Sequence, residues 1–382
     1  MSFAIQGNIA GQGLAQIDVE GGRICAVRRL GLADAARPYV SPGFVDIQVN
    51  GFAGVNFSDA ALDAAHAVRV LPALWKTGVT SFCPTLITNS LEQLARNFRV
   101  LEEARRLDPN FARTVPGYHL EGPYLSPGGA HGAHDTTFMR APDWDEFSRL
   151  QEAAGGNIAI ITLAPELPGA FDFIRRARAA GVIVAIGHTD CTPEEIHRAT
   201  EAGAQLSTHL GNGCAQFIHR HQTPIWAQMA SAQLSASLIC DGFHLPPDLV
   251  RVIYGVKGIE RCILITDAVH VAGLPPGRYS LVGLEIELLP DGKVAAVNRE
   301  HLAGSALSMN RAVTVFEKFA GVSLAEALRA ATANPARLLR GEGVTAELAP
   351  GQPASLVTFR PEPGALRVES VWLRGEKVYG SN

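Results

Sequence analysis

Eight short apolar runs constrain the fold of this chain most strongly, because each is followed by a polar or glycine-containing end and then by a segment of helical periodicity. Runs of this kind predict strands that are buried on both faces, as in a parallel sheet. The predicted strands span residues 43–51, 81–88, 117–123, 158–166, 182–190, 205–213, 235–242 and 262–269. Eight strand–helix repeats close a parallel barrel, so the predicted fold is α/β, a (β/α)8 TIM-type barrel.

Helical periodicity separates these runs. Residues 91–107 predict one long helix. Another begins at Thr192, and Glu195 three residues later completes the pattern of a capping box. Residues 323–340 predict a closing helix that Pro335 kinks or splits in two, since proline cannot donate the backbone hydrogen bond of a helix interior.

The two chain ends have a different pattern, of short strand-like pieces broken by glycines. We therefore expect residues 1–41 and 341–382 to form one small β-sandwich domain, and residues 42–340 to form the barrel. Residues 275–297 predict a β-hairpin turned by an Asp-Gly pair, as an excursion in the last loop of the barrel.

Composition limits the possible partners and compartments. The chain has 382 residues, enough for a barrel of about 250 residues and a satellite domain. A net charge of −4 leaves no basic surplus for nucleic acid. The six cysteines are scattered without a CxxC pair, which indicates reduced thiols rather than a disulfide framework. No secretion signal or apolar run of about 18 residues is present, so we expect a cytoplasmic protein without membrane contact.

Polar residues cluster at the ends of the predicted strands. In barrels of this type the catalytic groups lie at the carboxyl ends of the strands, where loops from different repeats meet. These positions hold residues that can bind metals or transfer protons: Gln48, Asn50, His119, Glu121, His188, His209, Asp241, His244 and Asp267. Their number at such ends predicts a catalytic site.

Glu121, His188 and His209 together have the composition of a catalytic metal site, three N/O ligands with a fourth position open. A bound cation lowers the pKa of a water molecule and so supplies a nucleophile at neutral pH. Any one of these histidines alone is more simply explained as a hydrogen-bonded core group. The presence of all three at strand ends favours the metal site.

Asp267 is the candidate acid and base. A carboxylate beside the cation can accept a proton from the attacking water and later deliver one to a leaving amine. The competing explanation is a helix N-cap, for which aspartate is common. The sequence that follows, VHVAGLPPG, does not begin a helix, so the catalytic interpretation is favoured.

Several motifs occur in the order of a known family. They are PGFVDIQVNGFAGVNFSD, HLEGPYLSP, GAHDTTFMR, GHTD, THLGNG, DGFH, ITDAV, LAGSALSM and TANPARLL, spread from about Pro42 to Arg340. The set resembles the N-acetylglucosamine-6-phosphate deacetylases of the amidohydrolase superfamily. The resemblance implies a hydrolase that removes the N-acetyl group of an amino-sugar 6-phosphate, giving glucosamine 6-phosphate and acetate, and it is typical of homodimers.

The resemblance also implies roles for individual residues. Glu121, His188 and His209 match the family's metal ligands and Asp267 its catalytic acid and base, in agreement with the strand-end pattern. Arg220 falls where the family places a phosphate-binding arginine, and a guanidinium suits phosphate oxygens well. The full set of implied substrate-binding residues is Ala133, His134, Asn212, Gly213, Arg220, His244, Leu302, Ala303 and Gly304.

The first strand predicts how many metal ions are bound. Many amidohydrolases have His-x-His there and hold two cations, whereas this chain has Gln48 and Asn50, whose neutral amides are poor ligands. We therefore expect one divalent metal ion per subunit. Zn²⁺ is favoured, although the ligand set does not exclude Fe²⁺ or another divalent ion.

Two departures from the family bear on the substrate. Where the family commonly has His-x-x-Asn-Ala-Met and later Arg-Glu-Pro-Gly, this chain has HLGNGCAQ and RHQTP, in the loop expected to hold the sugar and its phosphate. N-acetylgalactosamine 6-phosphate, or an acylated amine without phosphate, is therefore a second possible substrate. His219 and His221 are either phosphate contacts or members of a solvated loop, and the solvated loop is favoured.

Two further functions compete with sugar deacetylation. One is a different amidohydrolase, such as an N-acyl amino-acid or cyclic-amide hydrolase, but the strand-one histidines and bridging lysine typical of cyclic-amide enzymes are not visible in the sequence. The second is a catalytically inactive barrel that acts as a scaffold. Loss of Asp267 or of a metal ligand would indicate such a barrel, and all of these residues are present.

Overall fold

The computed structural model describes residues 2–281, 284–297, 302–340 and 343–381. In chain order, its strands are β1 (Ser2–Ile9), β2 (Gly13–Glu20), β3 (Arg23–Gly31), β4 (Tyr39–Pro42), β5 (Phe44–Val49), β6 (Gly51–Phe52), β7 (Val55–Asn56), β8 (Val79–Ile87), β9 (Tyr118–Glu121), β10 (Ile158–Leu163), β11 (Ile183–Ile186), β12 (Leu206–Ser207), β13 (Ser235–Ile239), β14 (Cys262–Ile265), β15 (Gly277–Leu281), β16 (Leu284–Leu288), β17 (Val294–Ala296), β18 (Leu356–Glu362), β19 (Ala365–Leu373) and β20 (Glu376–Tyr379). Its α-helices are α1 (Ala64–Val68), α2 (Leu71–Lys76), α3 (Leu91–Leu107), α4 (Pro109–Thr114), α5 (Trp144–Ala153), α6 (Ala170–Ala179), α7 (Pro193–Ala202), α8 (Pro224–Ala230), α9 (Pro247–Lys257), α10 (Met309–Ala320), α11 (Leu324–Ala331) and α12 (Ala333–Leu339).

The barrel contains all eight predicted strands. They form one parallel sheet in the order β5-β8-β9-β10-β11-β12-β13-β14. A parallel bridge between Val49 and Ala268 brings the last strand back to the first. The Asp267 amide also donates to the Gln48 carbonyl at 3.0 Å and the Asn50 amide to the Ala268 carbonyl at 2.8 Å. The barrel is therefore closed, and its seam lies directly beside the predicted catalytic aspartate.

The outer helices follow from amphipathic sequence and local capping. On α3 the buried residues Leu94, Phe98 and Leu101 recur at helical spacing and face the barrel. The predicted capping box of α7 is present: the Thr192 side chain accepts from the Glu195 amide and the Glu195 carboxylate accepts from the Thr192 amide. These features determine where each of these helices begins, and therefore where the loop that leads to it from the preceding strand ends.

The chain ends form a separate mixed sheet of seven strands, in the order β20-β19-β18-β4-β1-β2-β3. The sheet is rolled, because Phe3 on β1 stacks on Trp372 on β19 with ring centroids 6.2 Å apart. Ile24 on β3 likewise hydrogen-bonds to residues just before β18. Apolar residues from both chain ends fill the interior of the roll: Ile5, Ile17, Val19, Ile24, Val40, Ala354 and Leu356. This gives the packing of facing layers that was predicted as a β-sandwich.

A third sheet follows the barrel strand β14. Its strands β15, β16 and β17 are antiparallel. The turn between β16 and β17 contains Asp291 and Gly292, with the Asp291 carboxylate accepting from the Lys293 amide. Val269, Leu281 and Ile286 belong to its small core, so this sheet packs onto the chain just after Asp267.

The closing segment is split in two, as the proline predicted. The break between α11 and α12 lies at Thr332, whose backbone leaves the helical region. Pro335 is in the first turn of α12, where its missing N–H has no intrahelical acceptor to lose. Within the described residues, no helix has the length and apolarity needed to cross a membrane.

Candidate active site

The predicted metal ligands come from the third, fifth and sixth strands of the barrel. Glu121 is the last residue of β9, His188 follows the end of β11 by two residues, and His209 follows the end of β12 by two residues. All three are buried. Parallel strands end on the same side of the barrel, so residues 88 positions apart in the chain meet in one place.

The ligand atoms of these residues converge. The Glu121 Oε1 atom is 3.0 Å from His209 Nε2 and 3.3 Å from His188 Nε2. One ligand atom from each residue lies within 4.8 Å of the ligand atoms of the other two. Two ligands of a tetrahedral zinc ion stand about 3.3 Å apart, given metal–ligand distances of about 2.0–2.2 Å. The three residues therefore have the spacing of ligands to one ion.

The tautomer of His188 supports the same conclusion. Its Nδ1 lies 2.9 Å from the Ala130 carbonyl, which can only accept, so Nδ1 donates its hydrogen. In the neutral ring Nε2 then has a free lone pair, facing the Glu121 carboxylate. A lone pair and a carboxylate oxygen at this distance need a positive charge between them. The donor set therefore suits a divalent cation.

Asp267 lies beside this group. Its Oδ1 accepts from Asn50 Nδ2 at 2.7 Å and from Gln48 Nε2 at 3.1 Å. Burial, followed by the negative charge of Glu121, raises the pKa of the Asp267 carboxyl to about 6. A carboxyl with a pKa near neutrality can both take and return a proton.

Electrostatics couple Glu121 to its histidines. Burial alone would raise the pKa of Glu121, but the close contacts of its carboxylate with His188 and His209 hold that pKa well below its usual range. Burial would lower the pKa of His209, whereas the hydrogen bond to Glu121 raises it. Glu121 is therefore the ionised member of the group, as a metal ligand must be.

One cavity of about 940 Å³ is lined by the three predicted ligands, Asp267 and most predicted substrate residues. The predicted substrate residues that line it are Ala133, His134, Asn212, Gly213, His244, Leu302 and Gly304. Ala303 does not line it, because its side chain is fully buried in the core of the third sheet. Arg220 is exposed on the loop before α8 and is also outside the lining.

Two histidines of the cavity have fixed orientations. His134 Nδ1 is 2.8 Å from the Thr88 hydroxyl, and its ring centroid is 4.4 Å from that of His188. Burial lowers the pKa of His134 to about 3, so the ring is neutral. His244 Nδ1 is 2.7 Å from Asp241 Oδ2, which shows that the strand-end Asp241 orients a histidine.

His119, another strand-end candidate, does not join the metal ligands. Its Nδ1 donates to the Ile47 carbonyl at 3.0 Å, and Nε2 is 2.7 Å from the Thr162 hydroxyl. Burial lowers the pKa of His119 to about 4. It is a hydrogen-bonded core residue. His119 and Glu121 are two residues apart on β9, so both side chains point into the barrel but lie in different layers of its interior.

Thr88 and Asp46 contribute to the site without having been predicted from the sequence. Thr88 follows β8 and contacts His134, while the buried Asp46 on β5 accepts from Thr266, the residue before Asp267. A threonine after a strand has no distinctive signal. Asp46 is two residues before Gln48 in a strand that is buried throughout. A carboxylate in a buried strand needs hydrogen-bond partners, and this requirement could have identified Asp46 from the sequence.

Comparison with known proteins identifies the family. The sequence model of the Amidohydrolase family matches residues 39–378. The N-acetylgalactosamine-6-phosphate deacetylase of Escherichia coli O157:H7 is 32% identical over 364 residues, which cover 94% of each protein. The N-acetylglucosamine-6-phosphate deacetylase of Bos taurus is 35% identical, with 94% of this chain and 90% of the bovine protein covered.

Solved structures agree. A mutant N-acetyl-D-glucosamine-6-phosphate deacetylase from Mycobacterium smegmatis, in complex with N-acetyl-D-glucosamine-6-phosphate, has a TM-score of 0.88 at 31% identity, with 99% of each chain covered. The Thermotoga maritima N-acetylglucosamine-6-phosphate deacetylase has a TM-score of 0.87 at 28% identity, with 99% of this chain and 100% of the Thermotoga chain covered. The chain therefore belongs to the N-acetylglucosamine-6-phosphate deacetylase family of the amidohydrolases.

Proposed function

We propose that this chain hydrolyses the N-acetyl amide of an N-acetylhexosamine 6-phosphate, with N-acetylglucosamine 6-phosphate as the first candidate substrate. The observation that supports this most directly is the convergence of Glu121, His188 and His209 in the cavity that also holds Asp267. Three N/O ligands beside a carboxyl of raised pKa are the parts that amide hydrolysis requires.

Gln48 and Asn50 support a site for one cation. The Gln48 Nε2 group donates to both Glu121 Oε1 and Asp267 Oδ1, and the Asn50 Nδ2 group donates to Asp267 Oδ1. The NH2 groups of both side chains are thus turned towards carboxylates, where many amidohydrolases have histidine ligands. We propose one Zn²⁺ per subunit, with Fe²⁺ as the second candidate, and metal analysis of the purified protein tests the ratio and identity.

The proton transfers are assigned to Asp267. A divalent cation at the site would acidify a water molecule and polarise the acetyl carbonyl. Asp267 accepts a proton from the attacking water as the new C–O bond forms. It then delivers that proton to the sugar nitrogen as the C–N bond breaks, releasing acetate and the free amine. Because two amides already bind Oδ1, Oδ2 is the oxygen that exchanges the proton.

The remaining cavity residues would hold the substrate. His134, a neutral ring beside His188, is placed to donate to the acetyl oxygen as negative charge develops there. We propose that Ala133, Asn212, Gly213, His244, Leu302, Ala303 and Gly304 surround the sugar. Of these, Ala303 can contribute only backbone atoms, since its side chain is buried.

Arg220 is proposed to bind the phosphate. Its loop borders the cavity through Gln216 and Ile218, although the arginine is outside the lining. Arg220→Ala should raise KM for a phosphorylated substrate about tenfold or more and leave KM for the unphosphorylated sugar unchanged. An equal increase in KM for both sugars would show that Arg220 does not bind the phosphate.

N-acetylgalactosamine 6-phosphate is the second candidate, because a relative named for that activity matches 94% of the chain. Steady-state kinetics with both epimers, their unphosphorylated forms and an N-acetyl amino acid would rank the substrates. A preference for the amino acid, or no hydrolysis at all by the metal-loaded protein, would overturn the proposed function.

Asp267→Asn tests the assigned chemistry. Asparagine tolerates the left-handed backbone of this position and can still accept from Gln48 and Asn50, but it cannot take a proton. We expect turnover to fall by about 10³-fold or more, within the range that general acid–base catalysis and its associated steps supply. Metal content should be unchanged. Retained activity would remove Asp267 from this role.

Association into a homodimer is part of the proposal, by likeness to the family. Sedimentation equilibrium measures the mass directly, and a monomer at all concentrations would contradict it.

A further inference from the structure

Thr88 is a buried threonine that contacts His134 of the active-site cavity and takes no part in the proposed proton transfers. It follows the end of β8 by one residue, and only 3% of it is exposed. Its hydroxyl oxygen lies 2.8 Å from Nδ1 of His134, which is 8% exposed. This hydrogen bond connects the second barrel strand to the loop that follows the third.

The direction of the hydrogen bond follows from the surroundings of the hydroxyl. Among the described residues, His134 is the one hydrogen-bond partner of the Thr88 side chain. If Nδ1 donated, the hydroxyl hydrogen would be buried without an acceptor, which is unfavourable. The hydroxyl therefore donates and Nδ1 accepts, which puts the single ring hydrogen of the neutral imidazole on Nε2.

Nε2 of His134 is free to act in the cavity. His134 lines that cavity, and Nε2 has no hydrogen-bond partner within the part of the chain that the structure describes. The ring packs edge-on against His188 at 4.4 Å between centroids, so it stands next to the metal ligands. An N–H at this position can reach an acyl oxygen bound beside the ligands.

The Thr88 hydroxyl also packs closely against Gly122. That glycine has a φ of +83°, and a Cβ added to it would lie 2.2 Å from Thr88 Oγ1. No side chain other than hydrogen fits there without displacing the hydroxyl. Gly122 directly follows the ligand Glu121, so the strand that provides a metal ligand also confines the hydroxyl.

We propose that Thr88 is a positioning residue, whose hydroxyl keeps His134 in the Nε2-protonated tautomer so that the ring donates a hydrogen bond to the acetyl oxygen of the substrate. This rests on the proposed deacetylase function. His134 gains and loses no proton in the reaction, because it stabilises the developing oxyanion by a hydrogen bond only. The Nδ1-protonated tautomer would present a lone pair to that oxygen and repel it.

Thr88→Val and Thr88→Ser form a matched pair for the test. Valine keeps the shape and removes the donor, whereas serine keeps the donor. With N-acetylglucosamine 6-phosphate and metal-loaded protein, we expect Thr88→Val to lower kcat by about 10- to 100-fold, less than the loss of an oxyanion donor itself. KM should change little, and Thr88→Ser should restore kcat to within about threefold of the wild type.

Two further measurements separate positioning from a general loss of structure. The ¹⁵N NMR shifts of His134 should show a protonated Nε2 in the wild type and in Thr88→Ser, and a mixture of tautomers in Thr88→Val. An N-trifluoroacetyl substrate forms a less basic oxyanion and depends less on the donor. The kcat ratio of wild type to Thr88→Val should therefore be smaller with it than with the acetyl substrate.

A double variant and the wild-type controls test the role of Thr88 independently of the proposed function. In a His134→Gln background, Thr88→Val should have no further effect on kcat, because the two residues act as one unit. Wild-type kcat in Thr88→Val, or a wild type whose His134 is protonated on Nδ1, would overturn the inference while leaving the deacetylase intact. Equal losses with acetyl and trifluoroacetyl substrates would show a structural role instead. A wild type inactive on every acetylated sugar would overturn the proposed function, with the NMR result still testing the tautomer.

Discussion

Three of the four proposed metal-ligating and catalytic residues have a left-handed backbone. The φ angles are +49° at His188, +34° at His209 and +49° at Asp267. This conformation costs a non-glycine residue roughly 1 kcal/mol or more and is common at functional sites. Each of the three stands two residues beyond a barrel strand, where the chain turns into its loop. The strand-end pattern predicted which residues meet, but histidine carries no signal for a left-handed φ.

Gly213 offers a test at the residue scale. Its φ is +61°, and an added Cβ would lie 2.9 Å from His209 Cε1 and 3.2 Å from His188 Nδ1. Gly213→Ala should therefore displace both ligands and weaken metal binding by about 10- to 100-fold, as mutations around ligands do. Competition against a chelating fluorophore measures the affinity.

Gly255 provides the matched control. It lies in α9, and an added Cβ would meet nothing within 4 Å. Gly255→Ala should leave metal affinity unchanged and raise stability slightly, since alanine favours a helix. If Gly213→Ala bound metal as tightly as Gly255→Ala, the contact with the two histidines would not constrain the site.

At the scale of elements, sequence periodicity predicted the eight barrel strands because each is buried on both faces and forms a continuous apolar run. It predicted the hairpin from one Asp-Gly pair but not that β15 adds a third strand. It also did not predict the seam contacts between β5 and β14, since pairing between the first and last strands has no local pattern. Asp46 belongs to that seam: its carboxylate accepts from the Thr266 amide and hydroxyl on the opposite side.

Asp46 should make the seam sensitive to pH. Burial raises its pKa to about 7, although hydrogen bonds from Thr266 and Gln48 oppose the rise and Asp267 adds to it. The unfolded value is about 3.9, so the folded state binds the proton more tightly. The tighter binding of this proton stabilises the folded state fully below about pH 4. The stabilisation decreases as the pH rises towards 7 and is lost above that value. Over that window we expect a loss of the order of 2–4 kcal/mol.

Asp46→Asn should remove this dependence, because asparagine stays neutral at every pH. Urea unfolding of the wild type and the variant across the window gives the difference in unfolding free energy, which should grow in the variant's favour as pH rises. Asp267 and Cys83 face Asp46 and are common to both proteins. Asp248→Asn, at a side chain that is 94% exposed, is the control and should follow the wild type. Parallel curves for all three proteins would contradict the prediction.

For the whole molecule, the barrel topology explains why the convergence of the three proposed ligands could be predicted from sequence. Glu121, His188 and His209 are far apart in the chain, yet parallel strands deliver them to one end of the barrel. Loop conformation has no such rule, so the places of Arg220 and Ala303 could not be predicted. Arg220 depends on how the loop before α8 folds, and the burial of Ala303 depends on packing in the third sheet.

Metal removal should therefore lower the stability of the entire barrel. An ion that joins three repeats stabilises only the folded state, by about 4 kcal/mol at a concentration about 1,000 times its Kd. With an unfolding entropy of about 2.1 cal/mol/K per residue, this corresponds to a Tm lower by about 5 °C after chelation. Differential scanning calorimetry with and without a chelator measures the shift. His209→Ala, which lacks one ligand, should show the lower Tm at once and no further shift on chelation. The contrary result would be an unchanged wild-type Tm after metal analysis has shown that the chelator removed the ion. The three proposed ligands would then hold their positions through protein contacts alone.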